Sequence, residues 1–94
     1  ISEYVGQIRA WFYYLHVLGE LLFDKAPFKN SVVTGIILAE DGSKMSKSKK
    51  NYPNPNDIFE KYGADALRFY LVGSQLMKAR DLNFREDSVK QINR

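Results

Sequence analysis

Residues Lys44-Met45-Ser46-Lys47-Ser48, followed at once by Lys49 and Lys50, put four ammonium groups and two hydroxyls on seven consecutive residues. No carboxylate follows until Asp57. Lysine supplies a mobile point charge with three donors, and serine hydroxyls and loop N–H groups supply directional ones. That combination suits the holding of phosphate oxygens. The loop is not of the Walker type, because the spacing from Gly35 to Gly42 is wrong and Lys44 does not lead into a helix. The competing description is a solvated charge run, which is what most lysine clusters are.

The elements around the cluster must place it. Ile8, Trp11, Phe12, Leu15, Leu18, Leu21 and Leu22 recur mostly every three or four residues, which predicts an amphipathic helix over 6–23. Pro27 ends it, and His16 lies off the apolar stripe as a surface or interface residue. The β-branched run over 31–38 predicts a buried strand, with Gly35 marking a close approach to the backbone or a bulge. Asp41-Gly42 is a turn signal that opens into a loop over 40–54. Asn54-Pro55 reads as N-cap and first residue of a helix ending at Gly63, and a second helix runs from Ala64 to about Val72. Leu82-Asn83-Phe84 reads as a short strand, and a last helix begins at Ser88 and runs on to Arg94. Helices between strands favour a parallel sheet, hence an α/β chain.

Composition narrows the class. The chain has 94 residues, enough for one small domain, with 45% hydrophobic and 14% aromatic content, which argues against disorder. Its net charge of +3 comes largely from the lysine cluster, so the basic character is local. Absence of cysteine excludes disulfides and thiolate metal sites, and a single histidine makes no metal cluster. No apolar stretch reaches the roughly 20 residues needed to span a bilayer, so a cytoplasmic protein without a membrane partner is expected. The chain opens at Ile1 without a Met and stops at Arg94 inside an expected helix, which suggests a piece of a larger enzyme.

The five residues 44–48 match the second signature of class I aminoacyl-tRNA synthetases, and the resemblance extends over essentially the whole chain. Glu3, Gln7, Arg9 and Trp11 match the stretch that in isoleucyl-tRNA synthetases commonly reads Glu-Gly-x-Asp-Gln-x-Arg-Gly-Trp, whereas Tyr4, Gly6 and Ala10 depart from it. Asn51-Tyr52-Pro53-Asn54-Pro55 and Lys61-Tyr62-Gly63-Ala64-Asp65-Ala66-Leu67-Arg68 resemble the segment that follows the signature loop in the same family. Together these favour the isoleucyl type over the valyl or leucyl types.

The resemblance implies a fold, an activity and a set of site residues. Residues 1–42 would be the end of a Rossmann-type catalytic half. Residues 43–94 would hold the signature loop and a stem-contact region of β-α-α-β-α order. The implied reaction joins isoleucine and ATP into isoleucyl-adenylate with release of pyrophosphate, and then transfers isoleucine to tRNA. Lys44 and Lys47 would contact the phosphates and stabilise the departing pyrophosphate, with Ser46 and Ser48 assisting. Gly35, Ile36 and Met45 would border adenine. Glu3 would contact the ribose or amino group, Gln7 and Trp11 the amino-acid side chain, and Gly6 offers only backbone where the family often has Asp. Lys78, Arg80 and Arg85 are candidate tRNA phosphate contacts. Mg2+ would accompany ATP without a dedicated metal cage in this chain. Alone, without the rest of the parent synthetase, the piece would be inactive. The alternative from another class is a stand-alone basic module that binds nucleic acid, which would need aromatics interleaved with the basic residues.

Overall fold

A computed structural model describes residues 1–93, so the expected end of the last helix at Arg94 lies outside the described residues. Strand β1 spans Ser2–Tyr4 and runs into a 3-10 turn over Val5–Arg9, after which helix α1 spans Trp11–Phe23. The single helix expected over 6–23 is therefore two pieces, broken at Ala10 (φ −129°, ψ −101°). The break has a local cause. Gly6 is a poor helix former, and the Gln7 side chain accepts the Trp11 N–H at 3.1 Å, which starts a new helix instead of continuing the old one. Asp24 closes α1 in a left-handed conformation (φ 51°).

The strand expected over 31–38 is also divided, into β2 (Val32–Thr34) and β3 (Ile37–Leu38). Strand β2 pairs in parallel with β1, placing Glu3 opposite Val33 and Tyr4 opposite Thr34. Strand β3 pairs in parallel with β4 (Leu82–Asn83), Ile37 opposite Leu82. Gly35 lies where the chain leaves one pair for the other. A Cβ there would overlap the Arg80 carbonyl, so only glycine lets the two backbones approach. The Gly35 N–H donates to the Leu76 carbonyl at 2.9 Å and the Ile36 N–H to Asp81 Oδ1 at 3.1 Å. These bonds to the 75–81 segment replace a continuous ladder. That segment includes a 3-10 turn over Gln75–Lys78, started by Ser74, whose Oγ accepts the Leu76 N–H.

Helix α2 spans Pro55–Tyr62 and starts as its sequence dictates, with the Asn54 side chain accepting the Asn56 N–H at 3.1 Å and Pro55 in the first turn. Gly63 (φ 82°) ends it, and helix α3 spans Ala64–Val72 up to Gly73. Helix α4 spans Glu86–Ile92, beginning two residues before Ser88, where Glu86 and Asp87 occupy the first turn favoured by carboxylates. The core lies among these three helices and β4. Ile58 and Val89 are 2% and 0% exposed, and Ala66 and Phe84 complete the cluster. The ring of Tyr70 meets Phe84 edge-on at 5.8 Å. Each large side chain buried this way contributes about 1.5–3 kcal/mol.

Helix α1 has no comparable cover. Of its apolar stripe only Phe12 is buried, whereas Leu21 is 77% and Leu22 67% exposed. The radius of gyration is 16.4 Å with extents of 50 × 29 × 22 Å, against about 12 Å for a compact chain of this length. The elongation comes from an α1 that packs on the 3-10 turn before it and on Phe28 after it.

Glu86 ties α4 to α2, accepting from the Tyr62 hydroxyl at 2.9 Å and from Lys61 Nζ at 3.2 Å on the same oxygen. The two donors, Tyr62 first, hold its pKa below the usual carboxylate range. A depressed carboxylate pKa contributes stability that is present above the unfolded value and lost as pH falls through the folded one. Titration of the Glu86 carboxyl carbon by NMR is expected to show a midpoint below that of an ordinary glutamate, moving upward in Tyr62→Phe. An unchanged midpoint in that variant would refute the assignment.

Candidate functional site

The lysine cluster leaves the C-terminal end of β3. Gly42 (φ 82°) turns the chain, with its N–H on the Ala39 carbonyl at 2.9 Å, and the Ser43 carbonyl accepts the Ala39 N–H at 2.9 Å. Lys44 then forms an antiparallel bridge with Leu38. The hairpin goes no further, because the Ser46 N–H is taken by Asn51 Oδ1 and the Ser46 carbonyl by the Lys50 N–H, which closes a turn in place of a ladder. Asp41 accepts the Ser43 N–H at 2.9 Å, and the hydrogen bonds from Ser43 hold its pKa below the usual carboxylate range.

Residues 46–50 form one closed turn. Ser46 Oγ accepts the Lys49 N–H at 3.2 Å and lies 3.2 Å from Ser48 Oγ, while the Ser46 carbonyl accepts the Lys50 N–H at 3.0 Å. Lys50 itself is left-handed (φ 48°). Ser46 thus behaves as a cap for this turn. The half-buried Met45 packs on the Ile58–Phe84 core and lines an apolar cleft of about 180 Å³ with Tyr52, Pro53 and Leu71. One apolar side chain therefore seats a loop that is otherwise polar.

Asn51, which the sequence reading left out of the site, fastens that loop. Its Oδ1 accepts the Ser46 N–H at 2.9 Å, and its Nδ2 donates to Ser43 Oγ at 3.0 Å and to the Lys44 carbonyl at 3.1 Å. An amide is the side chain that donates and accepts at once. The legible signal was its position: a half-buried-capable amide directly after a lysine run, where the loop's backbone groups need partners.

The lysines face water. Lys44, Lys47, Lys49 and Lys50 are exposed, and among the described residues the carboxylate ion pairs are elsewhere: Lys61–Glu86 at 3.2 Å, Arg68–Asp65 at 3.3 Å and Arg85–Glu40 at 3.7 Å. The Asp65–Arg68 pairing matches the spacing on its helix. Of the candidate tRNA contacts, Arg85 is engaged with Glu40, and Lys78 and Arg80 are exposed. His16 is exposed as well.

The Glu3–Trp11 segment reaches a second strand end. Glu3 and Tyr4 pair alongside Val33 and Thr34, so Gly6 and Gly35 follow the C-terminal ends of neighbouring parallel strands. Ligands of parallel α/β sheets bind at that end. Glu3 accepts the N–H of Tyr4 at 3.0 Å, the Tyr4 ring lies against Gly6, and Trp11 is 46% exposed. At Gly35 and Ile36 the N–H groups are engaged within the chain, as is the Ile36 carbonyl, which accepts the Leu82 N–H at 2.9 Å. The structure thus gathers Lys44–Ser48 with Met45 on one strand end and Glu3–Gly6 with Gly35 on another. No hydrogen bond or ion pair among the described residues joins Glu3–Trp11 to the lysine loop.

Comparison with known proteins decides the family. The profile for "tRNA synthetases class I (I, L, M and V)" matches residues 1–85. The chain belongs to the class I tRNA synthetases. Among this family's curated members, the cytoplasmic isoleucine--tRNA ligase of Schizosaccharomyces pombe is 61% identical over 92 residues, 98% of this chain and 9% of that protein. The isoleucine--tRNA ligase of Bdellovibrio bacteriovorus is 54% identical over 94 residues, 100% of this chain and 9% of that protein. This class I synthetase chain therefore spans about a tenth of the relatives it matches. Among solved structures, a ternary complex of the agnB2 LeuRS of Agrobacterium radiobacter K84 with tRNA and LeuAMS superposes with a TM-score of 0.68. That chain is 27% identical, with 87% of this chain and 11% of that one covered.

Substitution Gly35→Ala in this synthetase chain forces the Arg80 backbone away. Overpacking of this kind typically costs about 1–3 kcal/mol. Amide exchange at Leu82 and Phe84, whose N–H groups donate to the Ile36 and Leu38 carbonyls, is expected to quicken on the order of tenfold while Val89 in α4 stays protected. Unchanged exchange at Leu82 would show that the crossing is not tight.

Proposed function

We propose that this chain is the phosphate-holding part of an isoleucine--tRNA ligase. The observation that carries the reading is the 44–48 loop itself. Its lysines have no carboxylate partners among the described residues, its backbone is held by Asn51 and Met45, and it sits at the end of a parallel strand. An anion is the missing partner of such a cluster. Relatives at 49–61% identity that are named isoleucine--tRNA ligases supply the substrate and favour the isoleucyl type over the valyl or leucyl types.

In this reading isoleucine attacks the α-phosphorus of ATP, and pyrophosphate leaves. Lys44 and Lys47 meet the charge that grows on the leaving group, with Ser46 fixing the turn that carries Lys47 and Ser48 beside it. Gly35, Ile36 and the Met45 backbone border the base, Glu3 and the Gly6 backbone approach the ribose or amino group, and Gln7 and Trp11 border the amino-acid side chain. Mg2+ would accompany ATP as part of that substrate and would help to neutralise the phosphate charge. Residues 1–42 are the end of a Rossmann-type half, and residues 43–94 the loop and a stem-contact region; the order α2-α3-β4-α4 after the loop supports the second assignment, and the strand that pairs with β4, β3, comes from before residue 43. The tRNA and the rest of the parent synthetase are the partners, in the cytoplasm. No described helix is long and apolar enough to cross a membrane.

Two outcomes test this in the complete enzyme. Lys47→Ala should lower kcat for adenylate formation by about a hundredfold, or on the order of 3 kcal/mol, with a smaller change in ATP binding. Lys50→Ala should cost far less, and similar small losses in both would leave only a solvated charge run. Trp11→Ala should raise the KM for isoleucine more than that for ATP. A pocket contact with a branched side chain discriminates by about 1–3 kcal/mol per methylene. Equal effects on both substrates would return Trp11 to a packing role.

A further inference from the structure

We infer that Asn51 is a positioning residue for the activation step, acting through the geometry of the lysine loop. The inference rests on the phosphate reading of that loop and extends it to a residue outside the signature. All three hydrogen bonds of the Asn51 side chain go to the loop: to Ser43 Oγ, to the Lys44 carbonyl and to the Ser46 N–H. Two of them grip the backbone positions that flank Met45, so the amide and the seated thioether hold the same point of the loop. The turn that carries Lys47 begins at Ser46, the residue whose N–H Asn51 accepts.

The need for such a fastening follows from charge. Four ammonium groups on seven residues repel one another and gain most from spreading into water. A phosphate-binding lysine works best when already in place, because donors fixed before reaction need no reorganisation as charge develops. Ion pairs cannot supply that order, since a carboxylate partner would compete with phosphate. A neutral amide can, because it bonds the backbone and leaves every ammonium free. Asn51 is half-buried beside the seat of Met45, and two of its three bonds, to the Ser46 N–H and to Ser43 Oγ, are partly shielded from water.

The test uses the complete synthetase that carries this segment, with rates normalised to active sites. Asn51→Ala should lower the rate of amino-acid-dependent pyrophosphate exchange on the order of tenfold. Transfer of isoleucine to tRNA from pre-formed adenylate should stay at the wild-type rate, because no pyrophosphate departs in that step. The double variant Asn51→Ala/Lys47→Ala should be little slower than Lys47→Ala alone, since a misplaced loop matters only through the lysine it carries. Ser43→Ala, which removes one of the three partners and keeps the fold, should give the same pattern at about threefold; it serves as the test if Asn51→Ala does not fold. Equal loss in both half-reactions would show a general folding role and overturn the inference. Full additivity with Lys47→Ala, or normal exchange in both single variants, would overturn it too. If Lys47→Ala is slow while Asn51→Ala and Ser43→Ala are normal, only the role of Asn51 falls. If Lys47→Ala is itself silent, the phosphate reading falls and takes this inference with it.

Discussion

Mutual repulsion among Lys44, Lys47, Lys49 and Lys50 sets the terms for the rest of the loop. Ammonium groups this close in sequence favour any backbone that separates them, and ordering them costs conformational entropy as well. The chain answers without neutralising a single one of them among the described residues. Met45 is driven onto the Ile58–Phe84 core by burial, and Asn51 bonds the backbone on both sides of it. Everything downstream serves that seat: α2 and α3 supply Ile58 and Ala66, β4 leads to Phe84, and α4 closes over them with Val89. The lysine loop and the hydrophobic core meet at one methionine.

Backbone continuity at Gly35 is the second constraint. One extended run serves two parallel pairs, so it must shift sideways in the space of two residues. The crossing is possible because no side chain stands between Gly35 and Arg80, and because the freed N–H groups find Leu76 and Asp81. The candidate adenine-side residues therefore begin as structural ones: both N–H groups and the Ile36 carbonyl are bonded within the chain, and the half-buried Ile36 side chain is what that position offers a ligand.

What the sequence made legible was local. Asn54-Pro55, Gly63 and Gly73 bound α2 and α3 as expected, since caps act within a few residues. The 44–48 cluster was readable for the same reason, being contiguous. Strand β1 was missed because it exists through pairing with β2, about thirty positions away, and its three residues carry no pattern of their own. The break at Ala10 was missed because Gln7 turns its side chain back onto the Trp11 N–H, a choice that periodicity does not record. Asn51 was read as part of a structural segment, and its bonds to Ser43, Lys44 and Ser46 show that this segment also fastens the lysine loop. The α1 stripe was legible as the apolar face of an amphipathic helix, and the structure leaves most of it uncovered. Period identifies which side of a helix seeks cover and is silent on what provides it.

That uncovered stripe has a practical side. From Trp11 to Phe23 the helix carries a single charged residue, Glu20, while Leu18, Leu21, Leu22 and Phe23 are 52–77% exposed along its outer half. A contiguous apolar face of that sort is a colloidal liability in a chain handled by itself, because each copy offers the next the same sticky surface. The basic loop offsets little of it, since its charge is gathered in one place. Kosmotropic salts such as sulfate would strengthen the attraction, so dilute, low-sulfate buffers are the natural conditions for working with these residues.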